Sequence, residues 1–169
     1  MKMILIGEMG VGKSTVVRTV LEGLKRQVGG FYTRPILEEG AHKGFEILSF
    51  DCRRKVLAHV DHAGPRFQRY GVDLSAFEEF GVAPLAEARE KSEIIVMDEI
   101  GLMEIELQAR AFLEGVRRCL WGEKDVLAVI QKRAFPWWQE VIENLPDARV
   151  LEVTLSNRDY LPKSIGFMV

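Results

Sequence analysis

Gly7-Glu8-Met9-Gly10-Val11-Gly12-Lys13-Ser14 follows the apolar run Met3 to Ile6 and precedes apolar residues at helical spacing: Val16, Val17, Val20, Leu21, Leu24 and Val28. A short apolar run that meets a glycine suits a strand buried on both faces of a parallel sheet. The 3.6-residue stripe from Ser14 predicts a helix that stops at the Gly29-Gly30 breaker. Between them the pattern is Gly-x-x-x-x-Gly-Lys-Ser, in the strand-to-helix context its mechanism requires. Glycines at 7, 10 and 12 free the backbone to converge its N–H groups on a phosphate at the helix N-terminus. Lys13 is placed to reach the β and γ phosphates, the Ser14 hydroxyl to ligate magnesium, and Thr15 to touch the α-phosphate. A dinucleotide-binding reading fails, because Thr15 stands where a third glycine-like residue is needed.

Working outward, Phe31 to Leu37, Phe45 to Phe50 and Lys55 to Val60 read as strands joined by turns, a small antiparallel excursion over residues 31–60. A loop rich in Gly and Pro, Asp61 to Gly71, leads to Ser75-Ala76-Phe77-Glu78, whose Ser-x-x-Glu spacing predicts a capping box. Pro84 starts a second helical piece. Glu93 to Met97, with Ile94, Ile95, Val96 and Met97, is a further buried strand, and a long helix follows with Ile105, Ala109, Phe112, Leu113, Val116 and Leu120 on one stripe. Val126 to Ile130 is a third buried strand, Pro136 opens a helix through Leu145, and Val150 to Leu155 is the last strand. Alternating strands and helices predict one α/β domain over 1–169, a mainly parallel sheet sandwiched by helices.

The strand at Glu93 to Met97 ends in Asp98-Glu99. Magnesium held on phosphates needs a second anchor, and a carboxylate at the carboxyl end of a buried strand supplies it, so Asp98 is the metal candidate beside Ser14. Glu99 is the candidate base that orients and deprotonates water at the γ-phosphorus. Gln131, Lys132 and Arg133 end the next strand, where a polar group can touch the γ-phosphate. Arg66 and Arg69 are loop candidates for neutralising charge. Arg158, in Asn157-Arg158-Asp159, offers a guanidinium on which a base can stack; the Asn-Lys-x-Asp spacing for guanine is missing, so no base preference follows. His59 and His62 flank Asp61 without an apparent fourth ligand and read as surface or hinge residues. Trp137-Trp138 reads as one core and one surface tryptophan.

The 169 residues are 47% hydrophobic and 28% charged, which excludes collagen-like, coiled-coil and wholly disordered classes. The formal charge of -2, from 23 basic and 25 acidic residues, offers no global field for nucleic acid or an anionic membrane. The first apolar run falls far short of the roughly 20 residues of a spanning helix, so no membrane association is expected. Cys52 and Cys119 are too few for a disulfide framework and read as thiols of a reducing compartment, the cytoplasm. A monomer is the expected state.

With Asp98-Glu99-Ile100-Gly101 followed by Met103-Glu104, Arg69-Tyr70-Gly71-Val72, Gly30-Phe31-Tyr32-Thr33, Gly44-Phe45 and Asn157-Arg158-Asp159, almost the whole chain resembles the small nucleoside-triphosphatase family known from thermophiles and as the human cancer-related nucleoside-triphosphatase. The resemblance implies a RecA-like P-loop NTPase sheet with an extra strand between the loop strand and the acid strand. It also implies slow, magnesium-dependent hydrolysis of ATP, GTP and other nucleoside triphosphates with little base selectivity. By position it makes Gly7 to Thr15, Glu8, Met9 and Val11 included, the phosphate-binding residues, Asp98 a holder of magnesium and Glu99 the base. Leu102 stands where many relatives carry Lys or Pro. The alternatives are a small kinase on the same scaffold, with an acceptor between the antiparallel excursion and the Arg66 to Arg69 loop, and a nucleotide-operated, nucleic-acid-linked module.

Overall fold

The structure, a computed structural model, describes residues 1–166; residues 167–169 of the expected domain lie outside the described residues. In chain order the elements are β1 (Lys2–Gly7), α1 (Lys13–Glu22), β2 (Val28–Glu38), β3 (Ala41–Ser49), β4 (Arg54–His59), β5 (Arg66–Phe67), β6 (Tyr70–Val72), α2 (Leu74–Phe77), a π-helical turn (Glu78–Val82), α3 (Ala83–Lys91), β7 (Ile94–Ile100), α4 (Leu102–Glu106), α5 (Arg110–Trp121), β8 (Asp125–Gln131), α6 (Phe135–Glu143), β9 (Ala148–Glu152) and α7 (Leu161–Gly166).

One sheet takes the order β5-β6-β4-β3-β2-β7-β8-β1-β9. From β2 to β9 every pairing is parallel, which makes a five-stranded parallel core. From β2 outward through β3, β4, β6 and β5 every pairing is antiparallel. The excursion thus extends the same sheet. β8 lies between β1 and β7, so an extra strand separates the loop strand from the acid strand as expected.

The apolar runs explain the layering, because successive side chains of a strand face opposite sides. On β7, Ile95 and Met97 join the cluster containing Leu85, Phe112, Val116 and Trp138, whereas Ile94 and Val96 join the cluster containing Val16, Val17, Val20 and Ile165. Helices α3, α5 and α6 therefore cover one face, and α1 and α7 the other. The two tryptophans divide as expected, with Trp138 buried and Trp137 exposed.

Several sequence boundaries are corrected. The first helix ends at Glu22, with Gly23 at its C-cap, and Val28-Gly29-Gly30 opens β2 instead. Gly30 pairs with Val96 at φ 109°, and a Cβ there would lie 2.1 Å from the Val96 carbonyl oxygen. Gly30 is therefore required for close backbone approach and does not break a helix. Asp61 to Gly71 contains the β5–β6 hairpin. The cap of α2 is Asp73, whose carboxylate accepts the Ser75 N–H at 2.9 Å, so Ser75 lies inside the helix. The long helix after the acid strand is broken into α4 and α5, with Gln108 at φ 53° between them. The last strand ends at Glu152, short of Leu155. At the end of β4, His59 Nε2 lies 3.3 Å from Glu38 Oε1, and in the turn that follows His62 accepts the Gly64 N–H. Among the described residues no helix is long and apolar enough to cross a membrane.

Candidate active site at the phosphate loop

The loop joins β1, which lies between β8 and the edge strand β9, to α1, so its residues stand at the carboxyl rim of the sheet where open α/β sheets bind ligands. Gly12 takes φ 106° at the N-cap, a left-handed conformation that closes the loop onto the first helical turn. Lys13 is 5% exposed, and its ammonium donates to the carbonyl oxygens of Gly7 at 3.0 Å and Glu8 at 2.9 Å. The loop thus folds around its own cation. Ser14 and Thr15 are exposed at the helix start, and Met9 projects into solvent.

The acid strand meets this loop. Ser14 Oγ donates to Asp98 Oδ1 at 3.0 Å, and Lys13 Nζ lies 3.3 Å from Glu99 Oε2. Asp98 is 4% exposed, and burial, reinforced by neighbouring Glu99, pushes its carboxyl up to about 7 against the opposing pull of Ser14, Lys13 and Arg18. The strand register shifts between Asp98 and Ile100, so Glu99 stands out of the ladder with β8. Gln131, at the end of β8, donates from Nε2 to Glu99 Oε1 at 2.7 Å, while its own amide oxygen accepts the Leu102 N–H at 3.2 Å. Both Glu99 oxygens therefore face donors, and the side chain is held from the start of α1 and the end of β8.

Two contributions were not legible in the sequence. Gln131 stood among three candidates for touching phosphate, yet here it holds Glu99. Gly101 makes that possible, because a Cβ there would lie 2.6 Å from the Gln131 amide. Glu104 is 5% exposed and accepts the Gly101 N–H at 2.7 Å. Burial is the main cause that pushes its carboxyl up to about 7. The local sequence signal for its burial is the three-residue spacing of a helix-start acid from Gly101.

The peripheral candidates separate. Lys132 bridges Glu152 at 2.7 Å and Glu8 at 3.4 Å, so it ties the rim of β9 to the loop. Arg158 donates from Nη1 to the Val11 carbonyl at 3.4 Å and lies against Gly12, beside the start of α1. Arg66 and Arg69 do not reach the loop: Arg66 donates to the Arg69 carbonyl, and Arg69 to the His42 carbonyl, each at 2.7 Å.

Beside Lys13 and Glu99 lies a cavity of about 410 Å³, walled by the sheet extension, the β5–β6 hairpin, α4 and the end of β8.

A family model described as NTPase matches residues 2–166. The chain is 39% identical over 166 residues to nucleoside-triphosphatase THEP1 of Thermotoga sp. (strain RQ2), covering 98% of this chain and 93% of that protein. It is 36% identical over 167 residues to nucleoside-triphosphatase THEP1 of Methanopyrus kandleri, covering 96% and 91%. The crystal structure of THEP1 from Aquifex aeolicus superposes with a TM-score of 0.83 at 32% identity, over 98% of this chain and 96% of that one. The solution structure of a human cancer-related nucleoside triphosphatase superposes with a TM-score of 0.81 at 31% identity, over 99% and 96%. A sheet order with one strand between loop and acid, a lysine resting against the acid strand and this match across the whole described chain lead to one conclusion: the chain belongs to the P-loop NTPase family that the model describes.

Proposed function

We propose that this protein hydrolyses nucleoside triphosphates to diphosphate and phosphate at the β1–α1 loop, with magnesium as cofactor and little selection among bases. The observation that carries the reading is the meeting of loop and acid strand: Ser14 on Asp98 at 3.0 Å and Lys13 on Glu99 at 3.3 Å. The names of the THEP1 relatives, each a nucleoside-triphosphatase, support the reaction.

The donor set fits magnesium. Asp98 is a buried carboxyl beside a hydroxyl, with a second acid next to it and no cation within ion-pair distance among the described residues. Such a site of hard oxygens and uncompensated charge suits a small divalent cation. Ser14 and Asp98 would hold it, the latter directly or through water. When bound, it neutralises charge on the β and γ phosphates.

Loop amides and the helix dipole of α1 bind the triphosphate tail, from Gly7 to Thr15. Lys13 draws negative charge off the β–γ bridge as that bond lengthens. Glu99, held by Gln131, orients a water toward the γ-phosphorus and accepts its proton as the new P–O bond forms. The leaving diphosphate carries away the electron pair of the broken bond. Arg158, beside Gly12, stacks on the base without reading its edge, which suits low selectivity. One domain, acting as a monomer in the cytoplasm, carries the reaction. Both thiols are free, and burial pushes that of Cys119 up to about 11, where it is unreactive.

Phosphate release from ATP, GTP, CTP and UTP, with and without magnesium, tests the reading. Release from all four that requires magnesium, and that Lys13→Ala lowers roughly a hundredfold or more, is the expected result. Near-normal release by Lys13→Ala would remove the phosphate-loop assignment.

A further inference from the structure

A hydrolase whose second substrate is water needs no organic pocket beside the reacting phosphate, yet one is built here. The cavity of about 410 Å³ takes in the space over Gly7 to Met9 and Lys13 at its reacting end and continues outward past Phe31 and Thr33 to Phe45 and Tyr70, and it falls within the range that holds a small organic ligand. It is not the place of the base. Arg158 and Gly12 mark one side of the loop, toward β9, whereas the cavity lies on the other, over β7, β2, β3 and β4.

Its walls follow from strand alternation. Phe31 and Thr33 of β2 share a face with Phe45 and Ile47 of β3, and the extension of the sheet carries this face outward past the parallel core. Opposite stand Tyr70 and Phe112, and the ring of Phe45 meets Tyr70 edge-on at 5.5 Å. Tyr70 bonds His42 at 2.9 Å, so two polar groups of the wall satisfy each other. The acids of the cavity are Glu8 of the loop, Glu99 and Glu104, and Glu99 lies next to Lys13. Lys132, one of the rim cations, is taken up by Glu152 and Glu8. Arg133 and Lys13 also line the cavity, at its rim and its reacting end, while the interior of aromatic and aliphatic carbon suits a neutral ring system bearing a hydroxyl.

We propose that this cavity binds an aromatic alcohol as a second substrate, whose hydroxyl replaces water in attacking the γ-phosphorus. The alcohol oxygen forms the new bond to phosphorus and its proton passes to Glu99. The bond from the γ-phosphorus to the bridging oxygen breaks, and the electron pair leaves on the nucleoside diphosphate. The products are a phosphate monoester and the diphosphate. The inference rests on the phosphate-loop reading above, with hydrolysis as the reaction of the same centre when water fills the cavity.

The full chain is incubated with magnesium and ATP labelled in the γ-phosphate, together with 2-naphthylmethanol, 4-phenylbenzyl alcohol or AMP, and labelled ester and free phosphate are separated. Ester is expected from the two aromatic alcohols and not from AMP. Thr33 is half-buried and away from the loop, so Thr33→Trp fills the cavity from its wall. It should lower ester formation at least about tenfold while phosphate release continues. Phe45→Trp serves the same purpose if Thr33→Trp loses both reactions. No ester from either alcohol while phosphate is released overturns this inference and leaves the hydrolase reading standing. So does labelling of AMP, or ester formation that both cavity variants leave unchanged. Loss of phosphate release and ester together in the wild type strikes the hydrolase reading itself.

Discussion

Glu99 stands between two donors, the Lys13 ammonium on one oxygen and the Gln131 amide on the other. A residue held this way can take a proton from water only if it keeps its carboxylate. Glu99→Gln preserves the shape and removes the base, so turnover should fall by about 10²–10⁴ while binding of the magnesium nucleotide persists. Single-turnover kinetics beside equilibrium binding separates the two, and an unaltered rate would move the base assignment to another group. Glu104 makes a second prediction. Its folded carboxyl stands near 7, against 4.5 for an ordinary glutamate, because burial disfavours the charge. Between those values the folded form keeps a proton that the unfolded form has lost. Its contribution to stability is therefore present below about pH 4.5 and is lost as pH rises through about 7, by up to about 3 kcal/mol. Glu104→Gln lacks that share of the slope, as urea unfolding near pH 5 and near pH 8 would reveal. Asp98, shifted by the same cause, keeps its own share of the same sign in the variant.

At the scale of elements, β1, β7 and β8 were legible because four or five consecutive aliphatic residues mark a strand covered on both faces. The strand β2 was legible only from Phe31. Its first residues carry Val28-Gly29-Gly30, where glycine serves packing against neighbouring backbone and side chains instead of ending a helix. Gly30→Ala places a methyl against the Val96 carbonyl at a left-handed φ, so it should destabilise the fold by more than about 2 kcal/mol. Thermal unfolding checks it, and a variant as stable as the parent would mean that β2 can shift away from β7. The break between α4 and α5 was hidden for a related reason. Ile105, Phe112 and Val116 keep a continuous apolar stripe, but the Ala109 N–H turns back to the Glu104 carbonyl and redirects the chain. Periodicity reports which residues are buried and says little about where the backbone bends. Asp73 took the cap expected of Ser75 because either side chain can accept the free N–H groups of the first turn.

Across the whole molecule the site depends on strands distant in sequence. The loop after β1, the acids of β7 and Gln131 of β8 converge on one rim, so a ligand bridging them should tie the sheet together. Magnesium ATP at a hundred times its dissociation constant should add about 2.7 kcal/mol to stability and raise the Tm, with Asp98→Asn losing most of the magnesium-dependent part. An equal rise without magnesium would dissociate Asp98 from the metal. The sequence by itself determined the α/β alternation, the phosphate loop and the acid pair, because these rest on local spacing: a glycine pattern between a buried strand and a helix, and two carboxyls at the end of an aliphatic run. Only the tertiary structure decided that the extension continues the same sheet, that Gln131 grips Glu99, that Glu104 is buried, and that a cavity opens beside Lys13 and Glu99. Each of these is a meeting of segments far apart in the chain, and such meetings are set by strand order and side-chain packing, which local spacing does not encode.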